Sequence, residues 1–188
     1  MPIVAYKAFD AEGLADLDLV WQAYKLIIAK LQAKTAKFAA INLSIGTDFL
    51  DSATIAIECG YVKQMASYGV MVLAAAGNMN GGYFGVTAPA TCSDAMAVTS
   101  ITSSNLPDRG SSVAYPASSA AVKSKIISAP GGEIYSTYLQ RGFVTMSGTS
   151  MATPHVSHGH HPGLCHWHRH HTVGMLLVHG GSAISAAV

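Results

Sequence analysis

Apolar residues in the first hundred positions fall into two alternating rhythms. Pro2 to Phe9 carries Ile3, Val4, Tyr6 and Phe9 ahead of the turn Asp10-Ala11-Glu12-Gly13, which predicts a buried central strand ending at a glycine. From Asp16 and Asp18 onward, Leu17, Val20, Trp21, Tyr24, Ile27, Ile28 and Leu31 recur at spacings of three and four, with Lys25, Lys30 and Lys34 on the outer side. That spacing predicts an amphipathic helix. Phe38 to Leu43 and Val70 to Ala76 are short apolar runs that read as strands, and Asp51 to Ser67 between them reads as a second helix. Parallel strands need a crossover, so this alternation predicts an α/β fold with a parallel sheet flanked by helices. From Ala95 the strands shorten: Ala95 to Ile101, Lys125 to Ala129, Glu133 to Tyr138 and Gly142 to Met146. A helix is then expected from about Ser150.

In an open parallel sheet, ligands bind at the carboxyl ends of the strands. Two polar segments fall there, Ser44-Ile45-Gly46 and Gly77-Asn78. Asn78 can offer its side-chain amide to a developing oxyanion, or it can be an ordinary turn residue beside Asn80, Gly81 and Gly82. The run Ser147-Gly148-Thr149-Ser150-Met151-Ala152-Thr153-Pro154-His155-Val156 sets a serine between small residues at a helix start. Gly148 permits close approach of a substrate, Thr149 can cap the first turn, and Pro154 is tolerated near a helix start. Ser150 there is a candidate nucleophile whose own N–H can donate to an oxyanion. An ordinary helix cap has the same composition.

The nine residues Gly148 to Val156 resemble the nucleophile motif of the subtilisin-like serine proteases, the subtilases. Val72-Leu73-Ala74-Ala75-Ala76-Gly77-Asn78 is similar to the subtilase segment bearing the oxyanion asparagine, and the two motifs come in the family's order. Ile41-Asn42-Leu43-Ser44-Ile45-Gly46 resembles the strand whose edge pairs with the substrate backbone and whose end lines the primary specificity pocket, with Ile45 in place of the usual leucine. Lesser similarities at Ala88-Pro89-Ala90 and at Lys125 to Gly131 extend the likeness over most of residues 1–157. The resemblance implies a partial subtilisin-like catalytic domain, N-terminally truncated, that hydrolyses a polypeptide substrate through an acyl-enzyme. Ser150 would be the nucleophile, Ser150 N–H and Asn78 the oxyanion donors, and Ser44, Ile45 and Gly46 the substrate edge. The chemistry requires no cofactor, and structural calcium is allowed by the family without a placed ligand set.

Serine chemistry also needs a base, and subtilases carry an aspartate and a histidine upstream of the strand that Ile3 to Phe9 resembles. No histidine precedes His155 in this chain. Phe9-Asp10-Ala11-Glu12-Gly13 matches a surface turn rather than the aspartate motif, and the position of His155 is structural in the family. After Ser157 the pattern breaks. Residues 158–188 are rich in histidine and glycine where an apolar helix should continue, which reads as a changed reading frame or retained intron rather than native subtilase sequence. Two alternatives stand beside the protease: a catalytically dead, subtilase-like peptide-binding module, and a histidine-rich metal binder using His158, His160, His161, His166 and His170.

Composition narrows the field further. With half the residues hydrophobic, 11% charged and a net charge of +1, nothing favours a nucleic-acid or anionic-membrane partner. No apolar run is long enough to span a bilayer. The first residues carry no signal-peptide pattern, so the secretion usual in the family would be encoded upstream. Cys59, Cys92 and Cys165 are odd in number and lack CxxC spacing, which argues against a disulfide framework and a cysteine zinc site. Oligomeric state is not encoded in any of these features.

Overall fold

A computed structural model describes residues 3–10, 14–46, 51–79, 85–112, 125–138, 141–159 and 172–176, the last as backbone only. Among the described residues, six strands form the main sheet: β1 (Ile3–Ala5), β2 (Phe38–Leu43), β3 (Met71–Ala75), β4 (Met96–Ile101), β5 (Ile126–Pro130) and β8 (Thr172–Leu176). Their order is β1-β8-β2-β3-β4-β5, all parallel. β6 (Ile134–Thr137) and β7 (Phe143–Met146) make a separate antiparallel hairpin. Among the described residues, three helices flank the sheet: α1 (Leu17–Gln32), α2 (Ser52–Ser67) and α3 (Thr149–Gly159). The α/β architecture expected from the sequence is therefore present.

The two faces of the sheet are filled from alternate positions of the same strands, as the pleat requires. Ile41, Leu43, Val72 and Ala74 join Val20, Tyr24, Ile27, Leu31, Val62 and Met65 of α1 and α2 in the larger core. Ala40, Leu73, Val98 and Ala129 face Ala152 and Val156 of α3 in the smaller one. Small side chains let α3 lie close to the strands whose ends it must meet. At the other helix start, Asp51 caps α2 by accepting from the N–H groups of Ala53 at 2.8 Å and Thr54 at 3.0 Å.

Two expectations are corrected. The central strand read over Pro2 to Phe9 is a three-residue strand at one edge of the sheet among the described residues. Its side chains alternate between exposed and half-buried, so only one face is covered. The Asp10 carboxylate accepts from Leu14 N–H at 2.8 Å, and residues 11–13 of the expected turn lie outside the described residues. The cysteine count was also misleading: Cys59 of α2 and Cys92 form a disulfide with Cα atoms 5.1 Å apart. Cys165 lies outside the described residues. β8 comes from the segment set apart by its composition, and it lies between β1 and β2 with Leu176 in register with Leu43.

Candidate active site

The carboxyl ends of β2 and β3 and the first turn of α3 converge. Gly148 precedes the helix with φ of 146°, and a Cβ there would lie 3.1 Å from Asn78 Oδ1 and 3.2 Å from Nδ2. Glycine is what allows the asparagine to approach. Asn78 Oδ1 accepts from Thr149 N–H at 3.0 Å and from Thr149 Oγ at 3.1 Å. The amide thus caps α3 from another element, and because a backbone N–H can only donate, the cap fixes which end of the amide is oxygen. Nδ2 makes no hydrogen bond among the described residues and remains a donor at the exposed side of the cap. Thr149 does not cap its own helix as the sequence suggested. Its hydroxyl, fully buried, accepts from Gly77 N–H at 3.2 Å while donating to Asn78.

Ser150 follows as the second residue of the helix, half-buried. Pro154 is inside the helix rather than at its start, so the Ser150 carbonyl four residues earlier lacks an intrahelical donor. Ser44 Oγ fills that place at 3.0 Å and in turn accepts from Asn42 Nδ2 at 2.8 Å. Ser150 Oγ donates back to the Ser44 carbonyl at 3.3 Å. A reciprocal pair of bonds therefore ties the end of β2 to the helix start, and buried Ser44 and Asn42 have a structural reason to be polar.

All five residues singled out from the sequence, Ser44, Ile45, Gly46, Asn78 and Ser150, lie at this junction. Ile45, Gly46, Asn78 and Ser150 line one open pocket of about 170 Å³, together with Gly77 and Thr87. Thr87 was not singled out; its place follows from the fold alone. Among the described residues, the Ser150 hydroxyl has the Ser44 carbonyl as its hydrogen-bond partner and no imidazole or carboxylate. His155 is bound on its own helix, Nδ1 to the Met151 carbonyl at 2.8 Å. His160, His161, His166 and His170 lie outside the described residues, and among the described ones no group of three or more His, Cys, Asp or Glu is placed to hold a metal ion.

The subtilase family model matches residues 1–160. The chain belongs to the subtilase family. Among similar subtilases are the thermostable alkaline protease of Halalkalibacterium halodurans, 32% identical over 82% of this chain and 37% of that protein, and a subtilisin of a Bacillus species, 34% identical over 81% and 37%. The minor extracellular protease Epr of Bacillus subtilis is 32% identical over 82% of this chain and 21% of its own length. The chain thus spans little more than a third of these subtilases at most. Among solved structures, a psychrophilic protease matches with a TM-score of 0.69 and 26% identity, covering 88% of this chain and 55% of that one. The prenylagaramide maturation protease PagA matches with a TM-score of 0.57 and 25% identity over 73% and 46%.

Proposed function

We propose that residues 1–157 supply the nucleophile, oxyanion and substrate-edge portions of a subtilisin-type serine endopeptidase. The observation that carries this reading is the Asn78 cap: Oδ1 is held by Thr149, so Nδ2 stays available beside Ser150. In the proposed reaction Ser150 Oγ attacks a peptide carbonyl, and the oxygen that gains charge receives hydrogen bonds from Asn78 Nδ2 and Ser150 N–H. The hydroxyl proton passes to a base, and the acyl-enzyme is then hydrolysed. Ser44, Ile45 and Gly46 hold the peptide by main-chain bonds. No cofactor takes part. Structural calcium stays a family expectation, since no ligand set is placed for it.

Among the described residues no base reaches Ser150, and without one the chain is expected to be inactive. The extracellular relative and the disulfide both favour an oxidising compartment for the full-length protein. One observation favours a second reading, a peptide-binding module that does not cleave: Ser150 Oγ rests on the Ser44 carbonyl rather than on a base.

A chimera separates the two. Residues 1–157 are joined behind the upstream part of the Bacillus subtilisin relative, which would bring the aspartate and histidine motifs, and ahead of that relative's downstream part, which would supply the end of α3 and stand in for the segment that carries β8. Turnover of a chromogenic peptide, abolished by Ser150→Ala, is expected. A folded chimera that binds peptide without Ser150-dependent turnover would leave the binding module.

A further inference from the structure

Asn78 stands just past the sheet, where the strand ladder no longer holds it. Ala76 N–H still donates to the Val98 carbonyl at 2.9 Å, and Gly77 then turns the chain with φ of 103°. Thr149 holds the Asn78 amide at Oδ1 alone, and a group bonded at one atom can pivot about it. Where Nδ2 points therefore depends on how firmly the main chain at residue 78 is fixed.

One residue grips that main chain on both sides of Asn78. Ser112 N–H donates to the Gly77 carbonyl at 2.8 Å, and Ser112 Oγ accepts from Met79 N–H at 3.1 Å. Ser112 is 1% exposed, which shields its side of both bonds from water. A Cβ placed on Gly77 would lie 3.2 Å from Ser112 Oγ, so the hydroxyl already closes against the turn. Alanine at 112 would keep the bond to Gly77 and leave Met79 N–H without its acceptor.

Ser112 is in turn tied to β4, a strand inside the sheet between β3 and β5. Ser111 Oγ accepts from Ser100 N–H at 2.9 Å and donates to the Ser112 carbonyl at 3.1 Å. Ser111 N–H donates to the Asp108 carbonyl at 2.9 Å, and Asp108 N–H to the Ser100 carbonyl at 3.0 Å. The Asp108 carboxylate accepts from Ser100 Oγ at 3.0 Å. The grip on Asn78 is thus referred to a core strand.

We propose that Ser112 is a positioning residue for the Asn78 amide, fixing the main chain on either side of it so that Nδ2 stays on the pocket that Asn78 shares with Ser150. Its effect on turnover rests on the reading of Asn78 as an oxyanion donor. The fix itself is a property of the folded chain.

The 188-residue chain contains four asparagines, Asn42, Asn78, Asn80 and Asn105, so isotope labelling of asparagine nitrogen gives four side-chain amide pairs for NMR relaxation, and Asn78→Asp assigns one of them. The Asn78 pair is expected near the rigid limit, with an order parameter of about 0.85, and the exposed Asn105 below about 0.6. Ser112→Ala should move the Asn78 pair toward the Asn105 value and leave Asn42 in place. In the chimera the same substitution should lower kcat by about tenfold to hundredfold with KM within about twofold. On an Asn78→Ala background it should cost less than about twofold, because a residue that acts through the amide then has nothing to position.

An Asn78 pair as mobile in the parent chain as that of Asn105 overturns the proposal, and this measurement stands even if the variant fails to fold. So does an Asn78 pair that Ser112→Ala leaves unmoved, or a loss of kcat that is equal with and without the Asn78 amide. If Ser112→Ala loosens the pair while Asn78→Ala leaves kcat unchanged, the positioning by Ser112 stands and the oxyanion reading of Asn78 falls.

Discussion

The two faces of the sheet treat their polar groups differently. On the α3 side, Asn42, Ser44 and Ser150 form one hydrogen-bonded group and Gly77, Thr149 and Asn78 a second, which meet at the Thr149–Ser150 peptide and end in an outward-facing amide, with Asn42 Oδ1 left without a partner among the described residues. On the α1 and α2 side, Glu58 is fully buried in an apolar core, with Tyr24 donating to one carboxyl oxygen at 3.1 Å and no partner for the other among the described residues. A connected set holds geometry for a ligand, whereas an isolated buried carboxyl can only cost stability. Substitutions on the first face should therefore alter chemistry or binding, and those on the second should alter stability.

The largest expected effect is at Asn78. In the active chimera, Asn78→Ala should lower kcat by about 10² to 10³ with little change in KM, a magnitude carried over from the corresponding donor in subtilisin itself. Its cost to folding, as a lost helix cap, should be only about 1 kcal/mol. Steady-state kinetics and urea melts on one preparation separate these. A stability loss with unchanged kcat would make Asn78 a cap and nothing more.

Next comes the opposite face. Cys92→Ser opens a link between residues 33 apart, and a loop of that length predicts a loss of roughly 2 to 4 kcal/mol. Thermal unfolding of the two chains under non-reducing conditions measures it, and equal midpoints would count against the disulfide.

Ser44→Ala returns to the site. It leaves the Ser150 carbonyl without its donor and Asn42 Nδ2 without its acceptor, for a cost of about 1 to 3 kcal/mol. Restoring Pro154→Ala on that background should recover part of the loss, because the Ser150 carbonyl regains an intrahelical partner. Additive effects in the double-mutant cycle would sever the two.

The smallest effect is the pH dependence at Glu58. Burial pushes its carboxyl above the ordinary value, partly offset by the Tyr24 hydrogen bond. The native state then binds the proton more tightly than the unfolded chain, so stability is highest at low pH and falls as pH rises from about 4.3 through the folded value. Glu58→Gln should remove that fall from urea midpoints measured between about pH 4 and 8. Parallel curves for the two chains would show that Glu58 does not titrate differently on folding.

The sequence carried the fold where periodicity was strong. α1, β2 and β3 fell close to their expected bounds because each has a full apolar face or run, and α2 because Asp51 caps its start and Gly69 follows its end. β1 was over-read, since three apolar residues in a short run look alike whether one face or two are covered. The disulfide was invisible because pairing depends on which strands and helices meet, not on cysteine count. At the site, residue types exposed Ser150 and Asn78, but not the partners that hold them. Thr87 lies in a segment with no motif of its own, and the bond from Ser44 to Ser150 exists only because Pro154 removes a donor one turn later.

The central proposal is that Ser150 and Asn78 supply the nucleophile and an oxyanion donor, while among the described residues no proton acceptor reaches Ser150. Turnover of one chromogenic peptide by the 188-residue chain and by the chimera, each beside its Ser150→Ala variant, tests it directly. The account predicts no difference between the chain and its variant, and Ser150-dependent turnover in the chimera. Ser150-dependent turnover by the chain itself would contradict it, because a base would then be reaching Ser150 from within these residues.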